Sequence, residues 1–359
     1  METIVGIKQL VDEGLREVPP LYIRPPDERP TITGSFSMST EGIDGLPQHL
    51  CIPIFDLSPL SYDEEHPARE HLIRDLGRAC EEWGFFQVIN HGINSSVIQN
   101  LRRAAAKFFE QPAEERMRLH SQSFRAPVSY STSFNPSMER VREWRDTLFF
   151  NRFPGFCDGF KEAPAICRKE VQDYINEVEK LARTLYKMIF QSLGLENKYI
   201  NTDVPDIPRT LMGINYYPPC PNPSLTLGLG SHSDVSCLTV LHPDSEVLGL
   251  EINHKGTWVP VLPVDASAFV INLADQVEIL TNGKYRSIEH RVLTNGEKAR
   301  MSIACFFGPL EETVVAPLPV LIDGNNPPKY RATLFKDYNR NFASSRLQPN
   351  RGTLDFARI

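Results

Sequence analysis

His232, Asp234 and His290 have the residue types and spacing of a metal site. In Gly230-Ser231-His232-Ser233-Asp234 an imidazole and a carboxylate stand at positions i and i+2. On a strand those positions face the same way, so both groups can converge on one point. A second imidazole follows in Ser287-Ile288-Glu289-His290-Arg291. Two imidazoles and one carboxylate make the facial triad of non-haem Fe(II) oxygenases, with coordination positions left open. Other readings share these residues. A lone His-x-Asp recurs by chance, and a single strand histidine is as readily a hydrogen-bonded structural residue. A zinc hydrolase can use the same donor set with metal-bound water as nucleophile. A non-catalytic β-barrel binding or storage protein would need no metal at all.

Arg300-Met301-Ser302 adds a second i, i+2 pair, a guanidinium fork and a hydroxyl on one face, suited to a carboxylate. Between it and His290 lies the turn signal Thr294-Asn295-Gly296. A three-residue hairpin loop there would pair His290 with Arg300 and point both into one cavity. Upstream, Asn215-Tyr216-Tyr217-Pro218-Pro219 places Asn215 and Tyr217 on a common face. A phenol near the arginine could complete a carboxylate clamp. Taken alone, the segment reads equally as a strand leaving for a loop.

The elements that would hold these residues are strands. After Arg209, apolar stretches alternate with turns at 211–217, 237–241, 248–252, 258–261, 268–272, 287–293 and 300–307. This rhythm predicts a sandwich, jelly roll or barrel rather than a βαβ sheet. The preceding half reads as mixed and helical. A short helix is expected at 4–15, a strand at 52–57, a helix at 70–83 and a strand at 85–90. A further helix should start at Ser95 or Ser96 as its cap. A long amphipathic helix is expected between Cys167 and Leu193, ended by Gly194, and a last helix at 334–342. The domain reading is an N-terminal arm over 1–50, a helix-rich region over 51–205, the β-domain over 206–312, and a C-terminal segment over 313–359 whose helix closes the pocket.

The 359 residues carry 38 Lys and Arg against 45 Asp and Glu, a net charge of −7, which offers no footprint for nucleic acid or an anionic membrane. No apolar run is long enough to span a bilayer, and the start shows no basic–apolar leader. The 7 cysteines are scattered without a Cys-x-x-Cys pair, which fits reduced thiols and a cytoplasmic protein. Nothing demands more than a monomer. His242 and His254 read as loop histidines outside any metal site.

Together these segments resemble the plant soluble 2-oxoglutarate- and Fe(II)-dependent dioxygenases, the group of flavonol synthase and anthocyanidin synthase. The resemblance runs from Ile52-Pro53-Ile54-Phe55-Asp56-Leu57 and Trp83-Gly84-Phe85-Phe86 to the C-terminal helix. Tyr130-Ser131-Thr132-Ser133-Phe134, Trp144-Arg145-Asp146 and the ending Gly352–Ile359 look most like the coumarin-forming branch of feruloyl-CoA ortho-hydroxylases and scopoletin 8-hydroxylase. It implies an α+β fold, a double-stranded β-helix (jelly-roll) core flanked by helices, isopenicillin N synthase-like. By resemblance, His232, Asp234 and His290 would bind Fe(II). Arg300 and Ser302, helped by Tyr217, would hold the distal carboxylate of 2-oxoglutarate, with Asn215 nearby. O2 would be the oxidant and ascorbate a supporting reductant.

Phe306, Phe134, Trp144 and Phe149 match positions that wall the pocket for a small aromatic substrate, although a core role fits each as well. Gly213 would leave open space in that wall. The branch implies hydroxylation of a phenylpropanoid, coumarin or similar molecule. Desaturation, demethylation or ring closure on a flavonoid or alkaloid is the alternative, as is an oxygenase that does not consume 2-oxoglutarate. Leu241-His242-Pro243-Asp244 and Leu248-Gly249-Leu250-Glu251 depart from the family pattern, and their hairpin is expected near the pocket mouth. A CoA thioester would call for a Lys/Arg cluster at the entrance, and none is evident.

Overall fold

Short strands with one apolar face must find a second sheet to cover it. The computed structural model describes residues 5–30, 38–39, 42–43, 51–121, 126–133, 139–153, 160–345 and 353–359. Phe134 lies outside them. The strands that frame the site are β1 (Ile54–Asp56), β2 (Phe85–Ile89), β3 (Val128–Thr132), β4 (Asp146–Arg152), β5 (Arg209–Tyr217) and β6 (Leu229–His232). They continue as β7 (Leu238–His242), β8 (Leu250–His254), β9 (Thr257–Pro260), β10 (Phe269–Leu273), β11 (His290–Val292) and β12 (Arg300–Gly308).

A larger sheet runs β1-β2-β10-β7-β12-β5-β4-β3 and a smaller one β9-β8-β11-β6. From β5 onward the chain alternates between them: β5 large, β6 small, β7 large, β8 and β9 small, β10 large, β11 small, β12 large. That alternation is the winding of a double-stranded β-helix. It also overturns the hairpin expected between His290 and Arg300. His290 pairs with His232 and Ile252 in the small sheet, whereas Arg300 pairs with Tyr217 in the large one. Asn295 does make its turn, accepting from the Glu297 and Lys298 amides, but residues 293–299 cross between sheets instead of folding back. The Leu293 amide is held by the Gly249 carbonyl on one side, and the Asn295 carbonyl by the Cys220 amide on the other.

Helices cover the outside. They include α1 (Pro67–Glu82), α2 (Ser95–Phe109), α3 (Arg168–Gln191) and α4 (Phe335–Ser345). The predicted stripe of α3, from Val171 through Ile189, is buried against α1, α2, β7 and β12. Gly194 follows it with φ +81°, a conformation that costs glycine nothing. The cap of α2 is Asn94, whose side chain accepts from the Ser96 amide, so Ser95 and Ser96 stand inside the first turn. No described helix is long and apolar enough to cross a membrane.

The N-terminal arm is anchored on the large sheet. Buried Asp146 accepts the Ile7 and Lys8 amides at the start of the helix Ile7–Asp12, and the Tyr130 hydroxyl at 2.7 Å. Further along the arm, Arg24 pairs with Glu143, whose carboxylate also accepts the Gly230 amide two residues before His232.

Candidate metal centre and active site

Antiparallel register sets His232 directly opposite His290, with ring centroids 4.2 Å apart. Asp234 leaves the end of β6 and brings Oδ1 to 3.5 Å from His232 Nε2 and 3.7 Å from His290 Nε2. These are the three side chains whose donor atoms cluster tightly enough for one ion among the described residues. Backbone carbonyls fix the tautomers. The Gly230 oxygen lies 2.9 Å from His232 Nδ1 and the Ile288 oxygen 3.1 Å from His290 Nδ1. A carbonyl can only accept, so each Nδ1 holds the proton and each Nε2 lone pair points inward. Burial pushes the Asp234 carboxyl up, but His290 and His232 when their rings are protonated, together with the Thr239 hydroxyl, outweigh it and leave it well below the ordinary carboxylate range. Neutral nitrogens and one ionised oxygen are donors that Fe(II) accepts.

No local pattern points to the two groups that hold Asp234. Thr239 Oγ1 donates to its Oδ2 at 2.6 Å and Asn272 Nδ2 at 2.8 Å, from β7 and β10. Both bonds load one oxygen and leave Oδ1 facing the imidazoles. Outer partners of this kind typically contribute 10–100-fold to metal affinity. Asn272→Leu should therefore weaken iron binding by about 10-fold or more. Iron titration of the apoprotein measures this, and unchanged affinity would show that the amide does not orient the ligand.

The co-substrate candidates line up across β5 and β12. Tyr217 is opposite Arg300 and Asn215 opposite Ser302, so all four side chains share one face of the large sheet. Arg300 is 3% exposed. Its Nε donates to the Val247 carbonyl, Nη1 reaches Ser302 Oγ at 3.4 Å, and the guanidinium stands 5.1 Å from the Tyr217 ring centroid. Burial pulls its pKa down, partly offset by Tyr217 and Asp244. The 241–251 hairpin, expected near the pocket mouth, packs residues 244–249 against Arg300 and Met301. Asp244 accepts the Met301 amide and pairs with Arg102, and a Cβ on Gly249 would lie 3.0 Å from Arg300 Cδ and Nε.

A cavity of about 260 Å³ opens in front of the triad. His232 and Asp234 line it with Asn215, Phe149, Phe306, Leu211, Leu229 and Val235, and with Phe335, Asn339 and Phe342 around α4. Phe149 and Phe306 both line this cavity. Trp144 does not. It is fully buried, donates from Nε1 to the Pro218 carbonyl, and packs edge-on against Tyr22 of the arm. Period-two alternation explains this, because residues 144 and 149 differ by an odd number and must face opposite sides. Arg145 takes the cavity side instead. The space beside Gly213 is filled: a Cβ there would meet Phe149 Cε1 at 3.1 Å. His242 and His254 end strands β7 and β8 rather than lying in loops. Buried His242, its pKa lowered to about 4 mainly by desolvation, bonds the Ala266 carbonyl, and His254 stacks on Trp83.

A jelly roll with two imidazoles and a carboxylate converging beside an aromatic cavity defines a non-haem iron oxygenase. Comparison with known proteins agrees. The profile of the 2OG-Fe(II) oxygenase superfamily matches residues 208–309, and that of the N-terminal region of non-haem dioxygenases in morphine synthesis matches 52–173. Feruloyl CoA ortho-hydroxylase 1 of Arabidopsis thaliana is 36% identical over 357 residues, covering 99% of this chain and 93% of the relative. Flavanone 3-dioxygenase 2 of Oryza sativa subsp. japonica is 36% identical over 332 residues, covering 92% and 91%. Among solved structures, JOX2 in complex with 2OG, Fe and JA superposes with a TM-score of 0.82 at 29% identity, covering 100% of this chain and 98% of that one. The chain belongs to the 2-oxoglutarate- and Fe(II)-dependent oxygenase family and is an enzyme of that class.

Proposed function

We propose that this protein hydroxylates a small aromatic molecule of the phenylpropanoid or coumarin type, with His232, Asp234 and His290 holding Fe(II). Arg300, Ser302 and Tyr217 take the distal carboxylate of 2-oxoglutarate, and Asn215 stands beside it. The observation that carries this reading is a single cavity lined by His232, Asp234, Phe149 and Phe306. Relatives named feruloyl CoA ortho-hydroxylase support the substrate class.

The overall reaction balances as substrate C–H, 2-oxoglutarate and O2 giving substrate C–OH, succinate and CO2. When bound, iron couples the decarboxylation of the oxo acid to oxidation of the substrate. The chain's own contribution is positioning. The β11–β6 pair holds two imidazoles in fixed tautomers, Thr239 and Asn272 hold the carboxylate, and the Arg300 fork fixes the co-substrate from behind. Phe149 and Phe306 offer flat apolar contacts for a ring, while Phe335 and Phe342 help keep water from the cavity.

The test is product mass after incubating the iron-loaded protein with 2-oxoglutarate and a panel of arylpropenoic acids, their CoA esters, coumarins and flavonoids. One equivalent of succinate per product heavier by one oxygen is expected. Succinate without an oxygenated aromatic product would reject the substrate class, and product without succinate would reject 2-oxoglutarate dependence.

A further inference from the structure

Arg145 is a buried cation on the cavity wall that forms no ion pair among the described residues. It is 7% exposed and lines the cavity together with Phe149 and Phe306. Nη1 donates to Asn215 Oδ1 at 2.9 Å, a neutral acceptor that Thr147 Oγ1 also uses at 3.0 Å. Nε is buried without a partner, and Nη2 forms no hydrogen bond among the described residues. The adjacent carboxylates are committed elsewhere. Glu143 serves Arg24 and the Gly230 amide, Asp146 the arm and Tyr130, and Asp234 the Thr239 and Asn272 side chains. No ion pair to Arg145 exists among the described residues.

A guanidinium removed from water without a counter-charge is costly. Nε is sealed inside the protein and Nη1 is taken by Asn215, so the terminal Nη2 group is the donor left to meet a carboxylate oxygen from the cavity. Phe149, Phe306 and Leu211 make much of the wall apolar, and Arg209 and Glu311, which also line it, each hold an interaction of their own. Resting on the oxygenase reading above, we propose that the prime substrate is a free carboxylic acid on an aromatic or apolar body, and that Arg145 binds its carboxylate. The Asn215 contact sets the orientation of the guanidinium, and Phe149, four residues further along the chain and lining the same cavity, lies against the body of the acid. This narrows the substrate class, because an ester or a CoA thioester lacks a carboxylate charge for the guanidinium to meet.

The experiment is calorimetric binding of 4-coumaric acid and methyl 4-coumarate to the Fe(II)- and 2-oxoglutarate-loaded protein under nitrogen, repeated with arylacetic acids and their esters. Binding without oxygen does not depend on turnover, so its failure is separate from failure of the succinate test. The wild type should bind at least one acid about 100-fold more tightly than its ester. Arg145→Leu should abolish that difference by weakening the acid alone. Arg145→Gln, which can still donate to Asn215, serves if the leucine variant does not fold and should lose the same discrimination. The proposal is overturned if esters bind as well as acids, if neither class binds, or if the variants weaken acid and ester equally. It is overturned also if the variants instead raise the apparent constant for 2-oxoglutarate, which would place Arg145 with the co-substrate.

Discussion

Replacing Asp234 by alanine should empty the centre of iron and reduce succinate formation by more than about 100-fold, beyond the range seen when only an outer partner is lost. Two imidazoles alone remain, both neutral, so nothing in the site offsets the ion's charge. The fold should survive. Asp234 stands at the end of β6 and forms no part of an apolar cluster, so the loss is confined to its bonds with Thr239 and Asn272. Those two donors become unpaired, at a cost of about 1–3 kcal/mol each where water cannot reach them. Bound iron per chain, far-UV circular dichroism and succinate yield test this together. A variant that kept both its iron and its succinate yield would remove Asp234 from the metal site. Asp234→Glu should recover part of the iron and less of the turnover, since the longer side chain no longer fits the Thr239 and Asn272 donors.

Arg300→Ala should raise the KM for 2-oxoglutarate by about 100-fold or more, because a buried charge-assisted pair that loses one partner typically forfeits 2–5 kcal/mol. The KM for the aromatic substrate should change little. Arg300 stands behind the triad against Tyr217 and Val247 and does not line the cavity where Phe149 and Phe306 lie. Arg300→Lys should recover only part of the loss, because an ammonium cannot reproduce the two-donor fork. Steady-state kinetics with each substrate varied separately decide the matter. Equal increases in both constants would mean that Arg300 holds the sheet rather than the co-substrate.

Contrasting errors at Trp144 and His290 show what kind of information sequence carries. Strand parity is local, so the His232–Asp234, Asn215–Tyr217 and Arg300–Ser302 pairings follow from the chain itself. The same rule applied to 144 and 149 would have turned Trp144 away from the cavity and brought Arg145 to it. The supposed hairpin at 294–296 failed for another reason. Turn chemistry at Asn295 is genuine, but whether a turn folds a strand back or carries it to another sheet depends on partners far away in the chain, here Gly249 and Cys220.

The sequence by itself determined the strand rhythm after Arg209, the long helix of residues 168–191, and the pairing of His232 with Asp234, because periodicity and i, i+2 spacing are properties of neighbouring residues; His290 joined that pair through the family resemblance. Only the tertiary structure decided that His290 lies opposite His232 while Arg300 lies opposite Tyr217, that Thr239 and Asn272 steady Asp234, and that Phe149 occupies the space over Gly213. Those contacts join segments tens of residues apart, and their geometry comes from how two sheets pack. No local pattern encodes that packing.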